Sequence, residues 1–298
     1  MDGDERMMGQ RSAKGAAAAA MAIFGTIGLF RRWIGLPSGM LALVRAVIGA
    51  VFLLLVLLIG KRKPDKKAIK RNFALLCLSG ACLGGNWLLL FEAYNHTSVA
   101  AATLCYEMGP VIAMLAAPLL FGERAEAKKW ICSAVAIAGV VLSSGILGGA
   151  AVQGRGIALA LGAACLYAGV MLLNRRIGGI EPLDRTVMQL CAAAAVMLPY
   201  VLIAEGGTAA WPGAQGALLA AAVGAIHTGL AYALYFGALG ALPTQTAALM
   251  SYIDPALAVL LSAAVLKEPI GASGVIGAVL VIGAAIAAEL PLRKVGKT

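Results

Sequence analysis

The sequence predicts an all-α integral membrane protein, with ten transmembrane helices arranged as two inverted five-helix repeats. Three observations lead there. The composition is too apolar for a soluble fold to bury. Ten separate apolar stretches approach membrane length. Matching features of the two halves recur at an almost constant offset.

The chain has 298 residues, of which 61% are hydrophobic (AVILMFWYC) and 13% charged, with 37 glycines besides. A soluble domain is about 45–50% apolar with glycine counted in, and about 25% charged. Mean hydropathy is +0.90. Disordered chains are polar, so disorder is excluded by the same numbers.

A bilayer-spanning helix needs about 20 mostly apolar residues. The candidates are 15–30, 37–59, 73–94, 98–121, 130–147, 156–173, 183–204, 214–239, 243–266 and 271–290. Short polar or Gly/Pro-rich segments separate them, among them GKRKPDKKAIKR, GERAEAKK, NRRIGGIEP and EGGTAAWPG. The connections leave no room for an extramembrane domain.

Lysine and arginine in the loops set the orientation, because cytoplasmic loops carry the excess. With the N-terminus inside, 19 of the 24 cations fall on the inner side, including Lys61–Arg71, Lys128, Lys129, Arg175, Arg176 and Arg185. Four fall outside: Arg31, Arg32, Arg155 and Lys267. Arg45 lies within a span. The split predicts a multi-pass protein of the inner (plasma) membrane with both termini cytoplasmic. It also accounts for most of the net charge of +10, so the lipid bilayer, and no nucleic acid, is the expected large partner.

Several classes of chemistry lack their motifs. The six cysteines form no CxxC and sit in apolar runs, as packing residues do. The sequence has no GxxxxGK[ST], HExxH or GxSxG, and its two histidines, His96 and His227, have no metal spacing. No cofactor, metal or enzymatic activity is expected. The polar, acidic start MDGDERMMGQRSAK does not read as a cleaved signal segment. No feature sets an oligomeric state.

The repeat appears in four matches. Pro110 aligns with Pro255 and Glu123 with Glu268 at an offset of 145; Arg31-Arg32 aligns with Arg175-Arg176 and Gly139 with Gly283 at 144. The halves are 1–150 and 151–298. Five spans per half is odd, so the second copy enters the membrane from the opposite side. Inverted duplication recurs in secondary transporters, where two opposed halves open one central site to each side in turn.

The residues that carry this pattern resemble the drug/metabolite transporter superfamily in its ten-helix EamA-like form. They are Arg45 in LALVRAVIGA, the run FEAYNHTSVAAATLCYEMGPVIAMLAAPLLFGE, and its echo GALPTQTAALMSYIDPALAVLLSAAVLKE. The resemblance covers essentially the whole chain. It implies transport of a small metabolite, with export of amino acids or related compounds first. Glu107 is a departure, since many members carry a neutral residue there.

Pro110 and Pro255 each sit near mid-span. Proline has no N–H and clashes with the carbonyl four residues back, here that of Tyr106 or Ser251. Paired interruptions in the two halves point to a transporter's binding site. Glu107 and Asp254 flank them, and an intramembrane charge is costly enough that it should face a cavity or a partner. The candidate substrate-binding set is Glu107, Tyr106, Trp87, Asn86, Tyr232, Tyr252, Asp254 and Ser251. Arg45, Glu92 and His227 are candidates for charge pairing or proton transfer, with Arg45 expected to pair with Glu92 or Glu107. Glu123 and Glu268 are expected to tie helix ends. Gly80 and Gly84 are expected to permit close helix packing.

The expected function is alternating-access transport of a small polar amino acid, zwitterion or cation, with proton coupling open to the acidic groups. One alternative is a quaternary-ammonium or drug effluxer, which requires Tyr106, Tyr232, Tyr252 and Trp87 to converge around an acid. The other is a membrane-embedded enzyme or lipid-handling protein.

Overall fold

The structure is a computed structural model, and it describes residues 2–61, 64–122, 127–143, 154–205, 212–239 and 241–290. Ten helical rods follow one another up and down. They are α1 (Asp2–Gly25, continued by Ile27–Trp33), α2 (Ser38–Ile59), α3 (Lys66–His96), α4 (Val99–Tyr106 and Met108–Phe121) and α5 (Ala127–Ser143). The second half adds α6 (Gly154–Arg176), α7 (Pro182–Ala204), α8 (Gly213–Leu239), α9 (Thr244–Ser251 and Ile253–Ala264) and α10 (Ala272–Glu289). Among the described residues, seven of these are long and apolar enough to cross a membrane, and α9 and α10 contribute the apolar stretches Leu249–Ala264 and Ala272–Ala288.

The packing has the symmetry of the repeat. Helix α3 lies on α6 as α8 lies on α1; α3 lies on α7 as α8 lies on α2; α4 lies on α6 as α9 lies on α1. Helices α2–α7, α4–α9 and α5–α10 pair across the halves. Exchanging every helix with the one five places on leaves this pattern unchanged. Small residues allow the close crossings. A Cβ on Gly80 would meet the backbone of Gln189 at 2.5 Å, and one on Gly229 of α8 would meet the Phe52 ring at 2.4 Å.

The outward faces are apolar. Leu58, Ile59, Leu119, Ile203 and Leu218 are each at least 70% exposed, which costs nothing where the solvent is lipid. Polar groups turn inward instead: Arg45, Asn86, Gln189, His227 and Thr228 are all buried.

Three boundaries differ from expectation. Helix α1 is longer at both ends, and it breaks once, at Thr26. Helix α3 starts seven residues earlier, because Asp65 caps it by accepting from the Lys67 and Ala68 amides at 2.9 and 3.0 Å. The basic residues Lys66, Lys67, Lys70 and Arg71 therefore extend a helix and do not form a loop. Helix α8 contains a π-helical segment, Val223–Leu230. Neither π-helical geometry nor the Thr26 break has a hydropathy signature.

The interruptions of α4 and α9 fall at Glu107 and Tyr252, three residues before Pro110 and Pro255. Their torsions nearly coincide, with φ −65°, ψ −3° at Glu107 and φ −75°, ψ −4° at Tyr252. The cause is the proline's effect four residues back. The first half-helix can run only to Tyr106 or Ser251, and the chain restarts so that each proline sits in a first turn, where a missing N–H leaves no intrahelical bond unmade.

Candidate functional site

A cavity of about 380 Å³ lies at the centre of the molecule, lined by α1–α4 and α6–α9. That size suits a small metabolite. The breaks in α4 and α9 form its middle. Tyr106, Glu107 and Pro110 face it from α4, and Ser251 and Asp254 from α9. Glu107 immediately precedes the restarted half of α4, and Asp254 lies in the first turn of the restarted half of α9. Each carboxylate thus stands at the positive end of a short helix dipole, a placement worth about 0.3–1 kcal/mol to an anion. The two are close enough to feel each other's charge. Neither accepts a hydrogen bond or joins an ion pair among the described residues.

The cation in the middle of the cavity is Arg45, 5% exposed. It was expected to pair with Glu92 or Glu107, and it pairs with neither. Its Nε donates to Thr228 Oγ1 at 2.7 Å, and its guanidinium lies over the Trp87 ring, 4.0 Å from the centroid. Asp254 is an electrostatic neighbour without direct contact. The π-helical segment makes this possible, since the Thr228 hydroxyl donates to the Val223 carbonyl five residues back at 3.5 Å and leaves a lone pair for the arginine. Glu92 is held elsewhere. It accepts from Ser38 at 2.8 Å and Asn95 at 3.0 Å, and it pairs with His96 at 3.0 Å.

The walls are aromatic. Tyr106 and Tyr167 stack at 5.1 Å, and Tyr232 packs on Phe24 at 5.4 Å and on Phe236 at 5.7 Å. Trp87, Tyr94 and Tyr235 complete them. Asn86 does not line the cavity; it is fully buried behind it and accepts from the Tyr106 hydroxyl at 3.3 Å. Tyr252 also departs from expectation. It faces a second cavity of about 330 Å³, beside Pro110, Met171 and Ala285. Pro255 is buried outside the central cavity. His227 stands behind the wall, its Nε2 2.8 Å from Thr26 Oγ1 and its ring edge-on to Phe30 at 4.6 Å. The Thr26 hydroxyl already donates to the Ile23 carbonyl at 2.7 Å, so the imidazole is the donor. His227 therefore braces the break in α1.

The two ends of the cavity differ. The upper end, which carries the α1–α2 turn, is sealed by a polar network. Arg31 donates to the Phe91 and Ile34 carbonyls and to Ser38 Oγ at 3.1–3.3 Å. Arg32 pairs with Glu268 at 2.6 Å and donates to the Thr97 carbonyl at 2.9 Å. Glu268 also accepts from the Val99 amide at 2.8 Å and Ser262 Oγ at 2.5 Å. Glu205 accepts from the Gly39 and Met40 amides at 2.8 and 2.9 Å. Glu268 thus ties helix ends, as expected; Glu123 lies outside the described residues. At the lower end the lining runs out to the helix termini, reaching Asn174 near the end of α6, Arg185 in the first turn of α7 and Leu239 at the end of α8.

Sequence reasoning missed Thr228, Tyr167, Arg185 and Gln189. The first two lacked any pattern, and Arg185 reads as a loop charge.

This is the architecture of a membrane transporter. The chain matches the EamA-like transporter family twice, over residues 12–145 and 154–288, and it belongs to that family. An uncharacterized transporter of Bacillus subtilis, YxxF, is 29% identical over 81% of this chain and 78% of its own length. An uncharacterized transporter of Vibrio cholerae is 26% identical over 85% and 83%, and the protein RarD of Salmonella typhi is 28% identical over 77% and 78%. A protein crystal structure with 22% identity aligns at a TM-score of 0.67 over 93% of this chain and 97% of the other, a likeness of fold.

Proposed function

We propose that this protein is a secondary transporter for a small zwitterionic or cationic metabolite of the amino-acid type, working by alternating access in the direction of export. One observation carries the reading: two carboxylates with no partner among the described residues, Glu107 and Asp254, face an aromatic-walled cavity at the breaks in α4 and α9, with the Arg45 guanidinium as their counterpart. A substrate ammonium satisfies the acids, and a substrate carboxylate meets Arg45. The 1–150 and 151–298 halves exchange conformations around this site. The loop charges support an inner-membrane protein with both termini cytoplasmic, so the lower end opens to the cytoplasm, where an exporter loads. Glu107 and Asp254 are also the groups that would take a proton in a coupled cycle.

A second reading, efflux of quaternary ammonium compounds, draws support from Tyr106, Tyr232 and Trp87 around the acids, without the Tyr252 that it called for. Ligand-induced melting of the purified protein separates the two, since binding raises apparent stability. Amino acids should raise the melting temperature, and Glu107→Gln and Asp254→Asn should each weaken that response at least tenfold. A response confined to tetraalkylammonium ions would favour the second reading. No response from either set would refute both.

A further inference from the structure

Arg185 sits in the first turn of α7 and lines the lower mouth of the central cavity beside Thr186 and Gln189. Its Nε is buried and has no hydrogen-bond partner among the described residues. No carboxylate pairs with it among the described residues. Several acceptors around this mouth are already engaged. Asp184 turns away and accepts from the Asp65 amide at 3.3 Å. Asn174 Oδ1 accepts from Gln189 Nε2 at 2.6 Å and from Ser79 at 3.4 Å. Gln189 Nε2 also donates to Ser79 Oγ at 2.6 Å.

The position is adverse to a cation in three ways. The group is partly desolvated, it has no counter-charge among the described residues, and it stands at the positive end of a helix dipole. An arginine retained for packing alone would be expected to relieve at least one of these. An anion arriving from the lower side relieves all three.

We propose that Arg185 is a substrate-recognising residue that receives the carboxylate of the substrate at the mouth of the cavity, ahead of Arg45 deeper in. This rests on the amino-acid reading above and narrows it: the substrate carries an anionic group, and a simple amine lacks the feature that Arg185 selects. The mouth then holds a cation and the middle holds two anions, so a zwitterion enters with its carboxylate engaged before its ammonium reaches Glu107 and Asp254.

The test uses two probes that differ only in the carboxylate, L-phenylalanine and 2-phenylethylamine, whose ring suits the aromatic walls. Binding to the purified full chain is measured by titration calorimetry, and each variant's melting temperature is recorded. Arg185→Gln should weaken phenylalanine at least tenfold and phenylethylamine less than twofold. Arg185→Lys should recover phenylalanine to within about threefold. Glu107→Gln should weaken both probes. The unliganded melting temperature of Arg185→Gln should hold or rise, because the wild-type group makes no bond among the described residues; a fall, or failure to fold, would assign Arg185 a structural role and overturn the inference. Equal weakening of both probes, or of neither, would also overturn it while leaving the amino-acid reading intact. A wild type that binds neither probe defeats that reading and the inference with it.

Discussion

Arg45→Gln should abolish measurable substrate binding, with an affinity loss of at least a hundredfold, about 2.7 kcal/mol. Among the described residues, the glutamine removes the one guanidinium that lines the middle of the cavity. It also removes the stacking on Trp87 at 4.0 Å and the bond to Thr228 at 2.7 Å. A desolvated cation–π contact alone is worth about 2 kcal/mol, and a hydrogen bond from a charged donor about 1.5–3. Arg45→Lys keeps the charge but cannot hold Thr228 and lie flat on the indole together, so it should lose about tenfold. Thr228→Val should resemble the lysine variant, because it frees the guanidinium to swing. Titration calorimetry with the tightest ligand from the melting experiment measures all three. An Arg45→Gln protein with wild-type affinity would remove the arginine from the site.

Glu268→Ala should open the upper end. Its carboxylate holds Arg32 of α1, the Val99 amide of α4 and Ser262 of α9, so one substitution unfastens three helices. The Arg32–Glu268 pair is partly exposed, which limits its own worth. The sum matters more: at about 1 kcal/mol for each contact, losing three shifts the balance of open and closed states by about a hundredfold. A cysteine placed at Thr103, in the cavity wall near the sealed end, reports the change. Its labelling from the upper side by an impermeant thiol reagent should rise at least tenfold in Glu268→Ala. Glu268→Gln keeps one oxygen for Val99 and should rise less. Exchanging the charges, Arg32→Glu with Glu268→Arg, should restore part of the seal. Unchanged labelling in Glu268→Ala would show that the network is packing and not a gate.

The sequence made the ten helices, the repeat and the mid-span acids legible, because hydropathy, odd span count and intramembrane charge each have a direct physical meaning. Side-chain direction was less legible. Ser251 and Asp254 reach the cavity from the two sides of the break in α9, whereas Tyr252, at the break itself, faces the second cavity. The partner of Arg45 was hidden for another reason. Thr228 lies 183 residues away, and a π-helical turn positions it. Arg185 was misread because a cation close to a helix end looks like a loop charge until the cavity is seen to reach it. Glu92, placed by hydropathy near a helix end, proved to belong to the upper seal.

The central claim is that two inverted halves open a single cavity to one side at a time. Spin labels in a cysteine-free background test it through two distances measured on the same reconstituted protein. One pair, at Trp33 and Lys267, spans the upper end between α1 and the end of α9. The other, at Leu120 and Arg176, spans the lower end between α4 and α6. All four positions are exposed. Across substrate and pH conditions, the account predicts two populations in each distance, changing in opposite senses: where the upper pair lengthens, the lower pair shortens. Populations that lengthen together, or two distances that stay fixed while substrate is transported, would contradict it.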